Sequence, residues 1–212
     1  ALVRTLTNAI ESQRLPHAVV LTGVRGVGKT TTARIIAKAI NYAGPDGTSG
    51  PTTGPTDDCP LCRAITEDRL PDVLEMDAAS RTGVGDIREL IDGVRYRPTQ
   101  ARYKVYIIDE VHMLSTPAFN ALLKTLEEPP DHVVFVLATT DPQKVRPTIR
   151  SRTQHFEFHL LSADVTAAHV RHVIDDAELP LAADHLDEVV NHVVRAGGGS
   201  ARDTLSALDQ VA

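Results

Sequence analysis

Gly23-Val24-Arg25-Gly26-Val27-Gly28-Lys29-Thr30 is the stretch on which the reading of this chain turns. It fits G-x-x-x-x-G-K-[ST] and stands between a short apolar run, Ala18 to Leu21, and a helical pattern. Strand, glycine-rich loop and helix in that order make a cradle for phosphate. Phosphate oxygens need several backbone N–H donors at close range. Glycine, lacking Cβ, leaves those donors open, and the helix adds its positive N-terminal end. On this reading Gly23, Val24, Arg25, Gly26, Val27, Gly28, Lys29, Thr30 and Thr31 line a nucleotide. Lys29 would reach the outer phosphates, and the Thr30 hydroxyl would hold magnesium.

Working outward, Leu2 to Gln13 has apolar residues at helical spacing, and Pro16 closes that segment before the first strand. Further buried-strand runs are Val73 to Met76, Val105 to Ile108 and Val133 to Leu137, each followed by polar residues and a helical pattern. The alternation predicts an α/β fold, a parallel sheet flanked by helices, with its ligand at the carboxyl ends of the strands. There Asp109 and Glu110 follow the run Val105 to Ile108. Successive side chains at a strand end diverge, so the two acids can serve different tasks. Asp109 would bind the metal, usually through water, and Glu110 would orient and deprotonate a water attacking the γ-phosphate.

After Leu160 the strand signals stop, and three helices are predicted at about Ser162 to Asp176, Leu181 to Arg195 and Ser200 to Val211. We therefore expect a nucleotide-binding domain over residues 1–160 and a small helical lid domain over 161–212. Between Gly44 and Asp58 the chain is rich in Gly, Pro, Thr and Ser, which reads as part of a surface insertion spanning about 42–63.

The 212 residues, 42% hydrophobic, suffice for one core and a small companion. A net charge of -6 lacks the basic footprint of a dedicated nucleic-acid binder, so any DNA contact should be local or shared with partners. Arg95, Arg97, Arg102 and Lys104 form a local basic cluster, read first as solvated surface. The two cysteines, Cys59 and Cys62, make no disulfide framework and suit a reducing compartment. No stretch approaches the roughly 20 apolar residues that span a bilayer, so a soluble, cytoplasmic protein is expected. Ala1 falls inside a helical pattern, as in an excised piece.

Asp109-Glu110-Val111-His112, followed by Phe119 to Pro130 (FNALLKTLEEPP), closely resembles the gamma/tau clamp-loader ATPases of bacterial DNA polymerase III, members of the AAA+ class. Gly26 to Thr30, Asp77 to Arg81, Ala138 to Lys144 and Ser151-Arg152 agree, so the resemblance covers nearly the whole chain. It implies an AAA+ P-loop fold with a parallel five-stranded sheet, followed by a helical lid.

It further implies an ATPase that couples ATP binding and hydrolysis, with magnesium, to loading of the sliding clamp onto primed DNA during replication. The implied partners are the delta and delta-prime subunits, other gamma/tau copies, the clamp and primed DNA, with no membrane. An alternative is a scaffold that binds ATP without significant turnover. Another AAA+ remodeller, such as a Holliday-junction motor, fits the stretch after His112 less well.

By the resemblance, Arg152 is a candidate arginine finger acting on a neighbour's γ-phosphate. Thr140 is a sensor for the attacking water or γ-phosphate, while Thr139 beside it could simply pack on its strand. Arg202, in Gly199-Ser200-Ala201-Arg202-Asp203, is a second sensor for its own subunit's γ-phosphate. Ser200 also reads as a helix cap. Arg81 and the helix starting near Val84 are the DNA candidates. The family commonly carries four zinc-binding cysteines after the P-loop helix. Here Tyr42 and Thr56 occupy two of those positions, leaving a zinc site at Cys59 and Cys62 doubtful and a metal-free helical insertion favoured. The family's collar domain would lie beyond Ala212 and its adenine-contacting segment before Ala1. Turnover is therefore expected in the assembled ring, with the isolated chain weak.

Overall fold

The computed structural model describes residues 2–12, 14–80, 84–180 and 185–211. They fall into two compact units, one made of residues 1–22 and 30–157, the other of residues 23–29 and 158–212.

The first unit is built on a five-stranded parallel sheet. Its strands are β1 (Ala18–Thr22), β2 (Val73–Asp77), β3 (Lys104–Asp109), β4 (Val133–Thr139) and β5 (Gln154–Glu157), in the order β2-β3-β4-β1-β5. Every residue of β1 and β4 is buried, which is why these strands read as unbroken apolar runs. The edge strand β5 is mostly exposed, so its polar sequence gives no such run. Register pairs Asp77 with Asp109 and Thr22 with Thr139, aligning the carboxyl ends of four strands.

The helices of this unit are α1 (Leu2–Glu11), α2 (Lys29–Asn41), α3 (Pro60–Thr66), α4 (Val84–Val94), α5 (Thr116–Glu127) and α6 (Pro147–Arg150). A 3-10 turn over Val111–Met113 follows β3. Helix α5 is capped by Ser115, whose hydroxyl accepts from the Ala118 N–H (3.4 Å), and buries Ala118, Phe119, Leu122 and Leu126 at helical spacing. Those side chains join Ile87, Tyr106, Ile108, Phe135 and Leu137 in one core, with the Tyr106 and Phe135 rings stacked 5.3 Å apart.

Asp72, 1% exposed, is the polar anchor of this unit. Its carboxylate accepts the backbone N–H groups of Thr99 (2.8 Å), Gln100 (2.7 Å) and Ala101 (2.8 Å), fixing the loop that leads into β3. Burial pushes its pKa up, but these donors outweigh burial and hold it below the ordinary carboxylate value. Asp72→Ala removes the acceptor of three backbone hydrogen bonds, and we expect a loss of about 3 kcal/mol, from about 1 kcal/mol net per bond, read by denaturant unfolding at pH 7. Because the folded pKa is depressed, the stabilisation is complete above about pH 4, the unfolded carboxylate value. It fades as pH falls through the lower folded value, so the acid limb of the stability curve should flatten in the variant.

The second unit holds α7 (Ala163–Asp176), α8 (Leu186–Gly197) and α9 (Ala201–Asp209), packed around Val170, Ile174, Val190, Val193 and Leu208. The middle helix was expected from Leu181, and residues 181–184 lie outside those described. Ser162 caps α7 by accepting from the Val165 N–H (3.4 Å). Gly198 ends α8 in the left-handed conformation (φ 54°) that glycine adopts without strain.

The insertion is more ordered than its composition suggests. Its helix α3 buries Cys62 and Ile65, and Cys59 before it is buried too. It leans on α2 through Lys38 and Asp57 (2.8 Å) and the Thr52 N–H to Ala39 carbonyl bond (3.0 Å). No helix among the described residues is long and apolar enough to cross a membrane.

Candidate nucleotide site

The first unit gathers Thr30, Asp109, Glu110 and Thr140 at the carboxyl edge of its sheet. Thr30, in the first turn of α2, donates its hydroxyl to Asp109 Oδ2 at 2.6 Å. A hydroxyl and a carboxylate side by side are the hard oxygen ligands that magnesium prefers, so this pair fits the ion. The other Asp109 oxygen accepts the Glu110 N–H at 2.8 Å, which fixes the carboxylate plane. Thr31 is exposed on the same turn.

Glu110 adopts a left-handed backbone conformation (φ 47°, ψ 44°), uncommon for a residue with a side chain and a feature that clusters at functional sites. Its Oε2 accepts the Thr140 N–H at 3.0 Å and the Thr140 hydroxyl at 2.8 Å. His112 Nδ1 stands 3.3 Å from the same oxygen and 2.8 Å from Thr139 Oγ1, and that hydroxyl also accepts the Asp141 N–H at 3.1 Å. Thr140, expected to face water or phosphate, thus holds the neighbouring carboxylate. Thr139, which could simply have packed, belongs to the same network. Sequence reasoning assigned His112 no role of its own; its signal was only its place two residues beyond Glu110.

Thr22, Pro142, Arg150, Ser151, His155 and Glu157 line a cavity of about 710 Å³ at the same edge. Burial and then the Arg150 charge hold His155 below the ordinary imidazole value. Arg152, the next residue after Ser151, donates to the Thr148 carbonyl (2.7 Å) and the Ser151 hydroxyl (3.3 Å) and pairs with Glu127 (2.8 Å).

The second unit contains the glycine-rich loop itself, residues 23–29. Lys29 is buried, with its ammonium donating to the Gly23 (2.8 Å) and Val24 (2.9 Å) carbonyls. Val27 is buried, Gly23, Gly26 and Gly28 are half-buried, and Val24 and Arg25 are exposed. Gly26 has φ 80°, and a Cβ there would run into the Ser200 hydroxyl. Only glycine fits at this position. Ser200 in turn caps α9, accepting from the Asp203 N–H at 3.3 Å, and the Arg202 N–H donates to the Gly26 carbonyl at 3.2 Å. The start of α9 is therefore fastened to the phosphate loop, with the Arg202 side chain exposed.

Cys59 and Cys62 are free, buried thiols. Burial pushes Cys62 up to about 12, helped by Cys59 beside it. Burial also raises Cys59, but hydrogen bonds from Ala43 and Cys62 prevail and leave it below the usual thiol value. Tyr42 Oη and Thr56 Oγ1 lie 3.5 Å apart. Among the described residues no group of three or more His, Cys, Asp or Glu side chains is placed to hold a metal ion, and this donor set does not fit structural zinc. Arg81 lies outside the described residues. Helix α4 begins at Val84.

A parallel β2-β3-β4-β1-β5 sheet, with a phosphate loop after β1 and paired acids ending β3, defines a P-loop protein of AAA+ architecture. The same fold is seen in the RuvB Holliday junction branch migration motor of Thermotoga maritima, at a TM-score of 0.67 and 19% identity over 98% of this chain and 59% of that one. A gamma subunit-related protein of DNA polymerase III from Thermotoga maritima aligns at a TM-score of 0.56 and 21% identity, over 99% of this chain and 58% of that one.

In sequence, a family model described as "DNA polymerase III, delta subunit" matches residues 1–162. DNA polymerase III subunit gamma/tau of Mycobacterium tuberculosis is 46% identical across 97% of this chain and 34% of its own length. Subunit tau of Escherichia coli K12 is 46% identical across 97% of this chain and 30% of its own, and that of Bacillus subtilis 44% across 99% and 36%. The chain belongs to the DNA polymerase III gamma/tau family, and spans about a third of the length of these relatives.

Proposed function

We propose that this chain is the ATP-binding and ATP-hydrolysing motor part of a clamp-loader subunit, which couples ATP turnover to placing a sliding clamp on primed DNA. The observation that carries the reading is the Thr30 to Asp109 contact of 2.6 Å, with Glu110 on the adjacent residue. It puts a magnesium-type oxygen pair and a candidate base next to each other. In this reading the loop amides and Lys29 bind the phosphates, and Thr30 and Asp109 hold magnesium, which neutralises phosphate charge when bound. Glu110 takes the proton of the attacking water, and Thr140 and His112 fix its carboxylate. Arg202 serves the phosphates of its own chain and Arg152 those of a neighbour. The delta and delta-prime subunits, further gamma/tau copies, the clamp and primed DNA are the proposed partners, in the cytoplasm.

Titration of the chain with ATP and Mg2+ tests the binding half. Lys29→Ala is expected to weaken ATP by about 10- to 100-fold, the equivalent of 1.5–3 kcal/mol for a hydrogen bond to a charged group. In the full-length complex the same change should stop ATP-dependent retention of the clamp on primed DNA. An affinity unchanged by it would contradict the assignment of the loop. A scaffold that holds ATP without turnover shares this first result and is separated from the motor at Glu110.

A further inference from the structure

We propose that Glu127 is a positioning residue for Arg152, holding its guanidinium ready for a neighbouring copy's nucleotide; this rests on the trans-acting reading of Arg152 above. An arginine on a turn loses rotamer freedom when it is fixed on a phosphate, unless its own chain has already fixed it. Here the chain has done so. Nη1 donates to the Thr148 carbonyl (2.7 Å) and the Ser151 hydroxyl (3.3 Å), and Nη2 pairs with Glu127 Oε1 at 2.8 Å. The first two contacts come from α6 and the turn after it. The third comes from a different element, and only a contact of that kind sets the direction of the side chain relative to the fold.

Glu127 is the last residue of α5, one position beyond the buried Leu126, so it rides on a helix end pinned to the core. No other carboxylate contacts the guanidinium among the described residues. The Nε–H has no partner among them either, which leaves one edge of the fork for two phosphate oxygens. Both side chains stay half-exposed, at 35% and 50%, so a neighbouring molecule can reach the pair. An ion pair this exposed adds little to fold stability, and its loss should be read in turnover rather than in unfolding.

The test measures kcat and KM for ATP in the full-length chain assembled with its partner subunits, for Glu127→Ala, Glu127→Gln, Arg152→Ala and the Glu127→Ala/Arg152→Ala double variant. Glu127→Ala should lower kcat about tenfold, in the range that misplacing a reacting group costs, with KM unchanged. Glu127→Gln keeps an acceptor oxygen and should recover part of the loss. The double variant should be no slower than Arg152→Ala alone. Normal or faster turnover in Glu127→Ala, beside a clear loss in Arg152→Ala, overturns the positioning role and leaves the trans reading standing. A double variant slower than Arg152→Ala also overturns it. An Arg152→Ala ring with normal turnover overturns both.

Discussion

Glu110→Gln should leave ATP bound and nearly abolish its hydrolysis. The expected fall in kcat is about 10²- to 10⁴-fold, the contribution of a placed general base. Gln keeps an acceptor oxygen for the Thr140 hydroxyl and N–H, which lie 2.8 and 3.0 Å from Glu110 Oε2, so the local fold should survive. It also keeps the same backbone demand, since the left-handed φ of 47° strains both residues alike. What it lacks is the negative charge and basicity that let a carboxylate oxygen take a proton. Single-turnover hydrolysis in the full-length complex, with nucleotide affinity measured in parallel, gives the answer. Turnover unaltered by the change would remove Glu110 from the chemistry, and turnover absent from the unsubstituted complex would favour the scaffold.

Much of the fold was open to sequence reading because parallel strands buried on both faces leave little choice of residue. Ala18 to Leu21 and Val133 to Leu137 are runs of that kind, and both lie within fully buried strands. The fifth strand, Gln154–Glu157, lies at an edge with most of its side chains in water, so nothing in its pattern separates it from a loop. The phosphate loop was legible for a different reason. Its glycines answer a backbone requirement local to the chain, as Gly26 does at φ 80°.

Long-range pairings were not legible. The Glu110 to Thr140 contact joins residues 30 apart in sequence, and His112 meets Thr139 across 27; both depend on strands β3 and β4 lying side by side in a particular register. The Asp72 nest is hidden in the same way, since three amides 27 to 29 residues away give no periodic signal. Family resemblance supplied Arg152 and Thr140 as candidates, but not the pairing of Arg152 with Glu127 or of Thr140 with Glu110.

Arg152→Ala should cut ATP turnover by about a thousandfold in the assembled complex and by nothing in the dilute, isolated chain. The asymmetry follows from where the side chain is held. Its contacts are Thr148, Ser151 and Glu127, none of which belongs to the Thr30, Asp109 and Glu110 cluster of its own chain. A guanidinium at a transferring γ-phosphoryl group meets charge that grows toward the transition state, so its removal should lower kcat while ATP affinity stays within about twofold. Measuring kcat against protein concentration, with and without the partner subunits, separates an arginine given to a neighbour from one used at home. If Arg152→Ala slows the isolated chain as much as the complex, the residue acts within its own chain and the trans assignment fails. If it slows only the complex, each copy hydrolyses ATP at a rate set by its neighbour, and turnover becomes a property of the interface between subunits.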